Sequence, residues 1–323
     1  MLYMKTIPFS DIEGVRVGNA QDSAAKTGVT VFLFPEPAPA AVTVLGGGPA
    51  SRETALLDSE RNVQPLDALV LAGGSTFGLE ASHGVLDCLE RRGIGFYTGD
   101  THVPIVCQSD IYDLSYGACD VRPDKAMGFA ACEDALAGGK AVSGNVGAGT
   151  GATVGKPKGL PQARKSGIGY AAAQLGGLQV GVAAVVNAYG DIFHEGKKIA
   201  GMMTADRSGF ADSTEALLEM QPSNLFTGNT TLVAIFTNAK LTPSALKKVS
   251  GMASAGMARA IRPVFTMADG DTVYALSVGS DKVNADVNVV GTLAAGLVEE
   301  AIFDAVESSR ISEEEYLYTI QHG

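Results

Sequence analysis

The sequence predicts an α/β protein in which sheets are stacked on one another and covered by helices. Apolar runs of strand length alternate with glycine-rich turns throughout the chain. Most of these runs are apolar on both faces, as buried strands require. Helical stripes of 3.6-residue period fall between the strand clusters, with much Ala and Gly, the pattern of sheets with helices packed outside them.

Taken in order, Val29 to Phe34 reads as a strand entered from Thr27-Gly28 and stopped by Pro35, and Ala41 to Leu45 and Ala68 to Leu71 read likewise. Phe77 to Arg91 is the first clear helical stripe, following a Gly-Gly-Ser turn in which Ser75 is expected to act as the cap. Strands follow at Val180 to Val186 and Leu232 to Phe236. Thr242-Pro243 is an N-cap followed by proline at the first helical position, and Leu246, Val249, Ala253, Met257 and Ala260 then recur on one face. A strand at Thr272 to Val278 precedes the last long helix, about Val287 to Val306, which is small or apolar nearly all round and therefore buried on several sides.

The 323 residues would allow two domains, but a layered α/β fold can place roughly 200 to 300 residues around one core. With 46% apolar and 18% charged residues, disorder is excluded. Glycine is in excess, 40 of 323 residues or about 12% against a usual ~7%. The net charge is −11 and the pI about 4.8, so a phosphate backbone or an anionic membrane would repel the chain; neither is expected as a partner. The start, Met1 to Pro8, lacks the form of a secretory signal and no run of about eighteen apolar residues occurs, so the expectation is a cytoplasmic, unanchored protein. Cys88, Cys107, Cys119 and Cys132 form no Cys-x-x-Cys pair and read as idle or buried thiols. Nothing implies a metal or a cofactor.

Several motifs fail on register. Gly144 to Lys156 lacks the glycine at 150 and the Ser or Thr after the lysine that a Walker loop needs, and the Rossmann-like Gly147-x-Gly149-x-x-Ala152 is followed by Lys156 to Pro161, poor helix material. Gly73-Gly74-Ser75-Thr76-Phe77 misses the nucleophile elbow because Phe77 stands where glycine should. His194-Glu195 has Lys198 in place of the second histidine of a zinc helix. With His83, His102, His194 and His322 as the whole supply, histidine catalysis is thinly provided.

The most informative stretch is Gly228-Asn229-Thr230-Thr231 ahead of the apolar run Leu232 to Phe236. A threonine at the mouth of a buried strand becomes a nucleophile when the chain is cut before it, because the freed α-amine, with a pKa of about 7.7 to 8, can take the hydroxyl proton. The same residues also fit a turn leading into an ordinary strand, and Asn229-Thr230-Thr231 fits a glycosylation sequon, which the missing secretory signal disfavours. Downstream, Asp269-Gly270-Asp271 lies between Val264 to Thr266 and Thr272 to Val278. It is either an Asp-Gly hairpin turn or a carboxylate pair able to hold an α-ammonium and pass protons.

Ala72-Gly-Gly-Ser-Thr-Phe-Gly-Leu79, Ile111-Tyr-Asp113, Gly144-Asn-Val-Gly-Ala-Gly-Thr-Gly151, Val186-Asn-Ala188, Gly228-Asn-Thr-Thr231 and Asp269-Gly-Asp271 occur together in this order. In this set, from about Gly18 to Ala305, the chain resembles the self-processing N-terminal-nucleophile peptidases that include L-aminopeptidase/D-esterase, β-peptidyl aminopeptidases and nylon-oligomer hydrolase. The resemblance implies an αββα four-layer sandwich, a single domain over 1–323, cut between Asn229 and Thr230 into fragments 1–229 and 230–323. It implies Thr230 as nucleophile and Asp269 and Asp271 as the acidic pair of the nylon-oligomer branch, where the β-peptidyl branch has Ser and a Ser-x-Glu pair. Asn187 resembles the asparagine whose amide helps form an oxyanion hole, Tyr112 the tyrosine near it, and Lys156 an active-site lysine, which local sequence alone would make a solvated lysine in a Gly- and Pro-rich loop. The Gly144 to Gly151 run resembles backbone packed close to the site.

The function expected is an amide hydrolase acting on short peptides or amides with a free amino end, β-amino and ω-amino units included, as a homo-oligomer such as a tetramer. Two rivals remain at this point: an acyltransferase of the ornithine acetyltransferase type, which has a related fold and also uses a self-generated N-terminal threonine, and an uncleaved, non-catalytic binding protein of the same fold.

Overall fold

The computed structural model describes residues 4–58, 61, 65–219 and 228–322. Its eleven principal strands are β1 (Met4–Thr6), β2 (Arg16–Asp22), β3 (Thr27–Ala38), β4 (Ala40–Val44), β5 (Ala50–Arg52), β6 (Leu66–Ala72), β7 (Val106–Asp110), β8 (Ile168–Leu175), β9 (Leu178–Asn187), β10 (Thr230–Thr237) and β11 (Thr272–Ser277). The helices are α1 (Ala81–Glu90), α2 (Lys125–Leu136), α3 (Ser213–Leu218), α4 (Pro243–Ala260), α5 (Val287–Ser308) and α6 (Glu313–His322). One sheet runs β1-β8-β9-β10-β11-β4 and the other β2-β3-β6-β7-β5. Pairing is antiparallel except for β10 with β11 and β6 with β7.

Alternation of side chains along each strand builds three apolar layers. Between the sheets, Phe32, Phe34, Leu69 and Leu71 meet Val185, Leu232, Ala234, Phe236 and Tyr274. The other faces of the same strands send Val182, Ala184, Val233, Ile235 and Val273 against Leu246, Val249, Met257, Val298 and Ile302 of α4 and α5. On the far side, Val31, Ala68 and Val70 pack on Val85, Cys88, Ala131 and Cys132 of α1 and α2. The order of layers is therefore helices, sheet, sheet, helices, the αββα sandwich expected. Burial on both sides is what makes these strands read as continuous apolar runs.

All six expected strands are present. Thr242 caps α4 as expected, its hydroxyl accepting from Ala245 N at 3.3 Å. The first helical stripe needs correction: Ser75–Glu80 is a 3₁₀ segment and α-helix begins at Ala81. Ser75 is not its cap, because that segment has no side-chain cap and Ser75 is its first residue, held at φ 53° behind Gly74. Among the described residues no helix is long and apolar enough to cross a membrane. Cys88, Cys107 and Cys132 are buried and unbridged, Cys119 exposed.

Candidate active site

The site lies where three neighbouring central strands end. Antiparallel register sets Asn187, the last residue of β9, opposite Thr230, the first of β10. Parallel register sets Leu232 beside Thr272 at the start of β11, which puts Asp269-Gly270-Asp271 level with Asn229 and Thr230. The chain thus arrives at β10 through Asn229, with the acidic loop on one side and β9 on the other.

The peptide linking Asn229 to Thr230 is gripped from both ends. The Asn229 carbonyl accepts Gly270 N–H at 2.8 Å, and it accepts the Thr230 hydroxyl as well. Asn229 Nδ2 donates to Ala268 O at 3.1 Å, and Thr231 N–H donates to Asp271 Oδ1 at 2.6 Å. Thr230 is 3% exposed and Asn229 1%, a burial that no glycosylated asparagine could keep.

Asp269-Gly270-Asp271 is not a hairpin turn, since Val264 to Thr266 forms no strand. It is a loop organised around its own carboxylates. Asp269 accepts from Tyr189 N at 3.2 Å and from Thr266 N and Oγ1 at 3.2 and 2.5 Å. Asp271 Oδ2 accepts from Phe265 N at 3.0 Å. Phe265 holds φ 59°, a left-handed conformation that costs a residue with a Cβ about 1–3 kcal/mol. A second loop that the sequence reading passed over, Gly46-Gly47-Gly48, wraps this one: Gly46 N donates to Asp271 O at 3.2 Å, Gly47 N to Thr266 O at 3.1 Å and Gly48 N to Asp269 O at 2.8 Å. Its signal was the bare glycine triplet before Pro49.

Lys156 is 3% exposed and no solvated loop residue. Its Nζ donates to Asn187 Oδ1 at 2.8 Å, Asn187 O at 2.9 Å and Gly228 O at 3.4 Å. Thr153 N–H shares Asn187 Oδ1 at 3.0 Å, so two donors fix the amide's orientation. The amide nitrogen donates to the backbone carbonyl of Tyr112 at 2.9 Å, leaving its second N–H outside that bond. Tyr112 thus meets Asn187 through its main chain.

Burial and mutual charge set the proton affinities here. Desolvation pushes Lys156 down to about 7, opposed by Asp269, Asp113 and Asp271. Desolvation and then the Asp269 charge push Asp271 up to about 8. Burial raises Asp269 too, against the Thr266 and Tyr189 hydrogen bonds. The charge of Asp269 thus opposes ionisation of Asp271.

The other two motifs reach this cluster indirectly. Asp113, raised to about 6 by burial, accepts Gly74 N–H and the Thr27 hydroxyl, both at 2.7 Å, so the Gly73 to Leu79 turn is tied to the Tyr112 segment. In the Gly144 to Gly151 run the close approaches are to backbone, to the Thr30 and Asn19 side chains at Gly147, and to Asp113, where a Cβ on Gly151 would lie 2.6 Å from that of Asp113. The run meets the cluster through Thr153 and Lys156, just beyond it. Histidine stays apart: His83 stands beside Arg52 and His194 pairs with Glu300.

The αββα sandwich, with a buried threonine, a carboxylate pair and an oriented amide gathered where its central strands end, is the N-terminal-nucleophile hydrolase type of fold. Solved structures agree on the fold. The L-aminopeptidase D-Ala-esterase/amidase of Ochrobactrum anthropi superposes with a TM-score of 0.70 at 20% identity, over 98% of this chain and 94% of its own. A β-aminopeptidase of Burkholderia sp. gives 0.64 at 22%, over 97% and 93%. In sequence, peptidase family S58 matches residues 8–313. An uncharacterized aminopeptidase of Mycobacterium tuberculosis is 40% identical over 304 residues, 88% of this chain and 85% of its own length. A 6-aminohexanoate-oligomer endohydrolase of Kocuria sp. is 32% identical over 313 residues, 92% of this chain and 85% of its own. The chain belongs to peptidase family S58, and it is a hydrolase of amide bonds.

Proposed function

We propose that the chain matures by cutting itself between Asn229 and Thr230, and that the freed Thr230 is the nucleophile of an aminopeptidase or ω-amino oligoamide hydrolase. The observation that carries this reading is the Thr230 hydroxyl lying against the carbonyl of Asn229, at the head of β10 between the acid pair and Asn187. Fragments 1–229 and 230–323 remain one folded unit, because β10 and β11 are central strands of the larger sheet.

In turnover the Thr230 oxygen attacks the substrate amide carbonyl while its own α-amine accepts the proton. Asn187 Nδ2 and Tyr112 hold the oxyanion. Lys156 keeps Asn187 in the productive orientation through Oδ1. Asp269 and Asp271 hold the α-ammonium and return its proton to the leaving amine. Water then attacks the acyl ester and frees the acid and Thr230. Similarity to the aminopeptidase and to the 6-aminohexanoate-oligomer endohydrolase supports substrates with a free amino end, ω-amino units included. The negative net charge of −11 favours small substrates over nucleic acid or an anionic membrane, and homo-oligomers in the cytoplasm complete the reading.

The test is an assay of the purified, cut protein against aminoacyl amides and short β- and ω-amino oligoamides. Amine release from this panel supports the hydrolase. Acetyl transfer to ornithine or glutamate, with no amine release, would replace it by the acyltransferase.

A further inference from the structure

Asp269 and Asp271 draw attention as acids, yet the residue between them touches the bond proposed to break. Gly270 N–H donates to Asn229 O at 2.8 Å, and the Thr230 hydroxyl donates to the same oxygen. The geometry points to Gly270 as a catalytic residue of self-cleavage. Its N–H holds the Asn229 carbonyl oxygen as that oxygen becomes an oxyanion, and its missing side chain leaves the space in which the Thr230 hydroxyl stands. This rests on the reading of Asn229–Thr230 as the bond that is cut.

The second half of the inference follows from space and not from backbone conformation. Gly270 is not among the glycines of positive φ, so nothing in its dihedral angles calls for glycine. A Cβ built on it would lie 2.7 Å from Thr230 Oγ1, 2.8 Å from Gly48 O and 3.1 Å from Pro49 Cα. Two of those three neighbours are backbone atoms of the glycine-rich loop and cannot swing aside, so an alanine here would press on the nucleophile. The donor is also immobile: Gly48 N–H holds Asp269 O on one side of Gly270, and Leu45 and Gly46 N–H hold Asp271 O on the other, at 2.8, 2.9 and 3.2 Å. A preorganised N–H aimed at an oxygen that gains charge is what lowers such a barrier.

The step balances as follows. Thr230 Oγ bonds to the Asn229 carbonyl carbon, and the C=O electron pair moves to the oxygen held by Gly270. That pair then returns, the carbon–nitrogen bond breaks, and the proton lost by the hydroxyl ends on the Thr230 nitrogen. Water cleaves the resulting ester, leaving a carboxylate on Asn229 and a free hydroxyl and amine on Thr230. Asn187 Nδ2 points one N–H at Tyr112 O, at 2.9 Å, and the donors on the Asn229 oxygen are Gly270 N–H and the Thr230 hydroxyl.

The test replaces the Gly270 N–H by an ester oxygen, with glycolate installed at position 270 of the full chain by stop-codon suppression in cell-free translation. Cutting is timed on denaturing gels, and folding is checked by cooperative unfolding. The folded ester chain is expected to cut at least ~100-fold more slowly than the wild type, the usual loss for one oxyanion donor. Cutting at the wild-type rate would overturn the donor role and leave the cleavage reading standing. A wild-type chain that never cuts, or a Thr230→Ala chain that still does, would overturn the reading itself and the inference with it. If the ester chain does not fold, Gly270→Ala decides: a folded chain that stays uncut supports the inference, and one that cuts at the wild-type rate overturns it.

Discussion

Lys156 and Lys165 leave the same Gly- and Pro-rich connection, and both are buried, yet they do different things. Lys165 donates to the backbone carbonyls of Gly149 and Ala152 at 3.2 and 3.0 Å and to that of Ser166. Desolvation holds its pKa well below the usual value, and Lys26 pushes the same way. Its oxygens are all main-chain, so it closes a connection. Lys156 spends its strongest contact on a side chain, Asn187 Oδ1, and reaches the Gly228 carbonyl at the approach to Thr230, under the field of three carboxylates. Burial depresses both lysines; only the partners separate one that closes a connection from one beside the proposed reacting centre.

The largest effect expected is for Thr230→Ala, which removes the proposed nucleophile beside the Lys156 region. Neither cutting nor turnover should be detectable, and normal processing in this variant would sink the nucleophile assignment. Next is Lys156→Met, for which kcat/KM is expected to fall by roughly 100-fold, the scale of losing an oriented oxyanion donor. A loss under tenfold would place Lys156 with Lys165. For Lys165→Met, kcat/KM should stay within about threefold of wild type, while the pH dependence of stability changes. A lysine depressed in the fold binds fewer protons than in the unfolded chain, so wild-type stability rises with pH up to the ordinary lysine range, near 10.5. Thermal melts across pH should show a flatter rise in the variant.

The smallest expected effect concerns the acid loop. Asp271 is raised from 3.8 to about 8, so between those values the folded state binds the extra proton and stability falls as pH rises. Asp271→Asn in an uncut Thr230→Ala background should flatten that fall in Tm; an unchanged slope would argue against the raised carboxyl.

The contrast also shows which features sequence can carry. Strands such as β10 were legible because Leu232 to Phe236 is apolar on both faces, and α4 because its cap and stripe are local. The helix α2 was not, since its buried residues are Gly128, Ala131, Cys132 and Ala135, too small to stand out from their neighbours. Lys156 looked solvated next to Pro157 and Lys158 because the groups that bury and hold it, Asn187 and the acids, are distant in sequence. The hairpin reading of Asp269-Gly270-Asp271 failed for the same reason, its hydrogen-bond donors including Tyr189 and Thr231. Family likeness supplied what local pattern could not.

The central claim is that Asn229–Thr230 is a bond the protein breaks. Intact-mass spectrometry of the purified, denatured protein, with amino-terminal sequencing, tests it most directly. The account predicts two chains, one ending at Asn229 and one beginning at Thr230; a lasting single chain of 33.2 kDa after prolonged incubation under native conditions would contradict it.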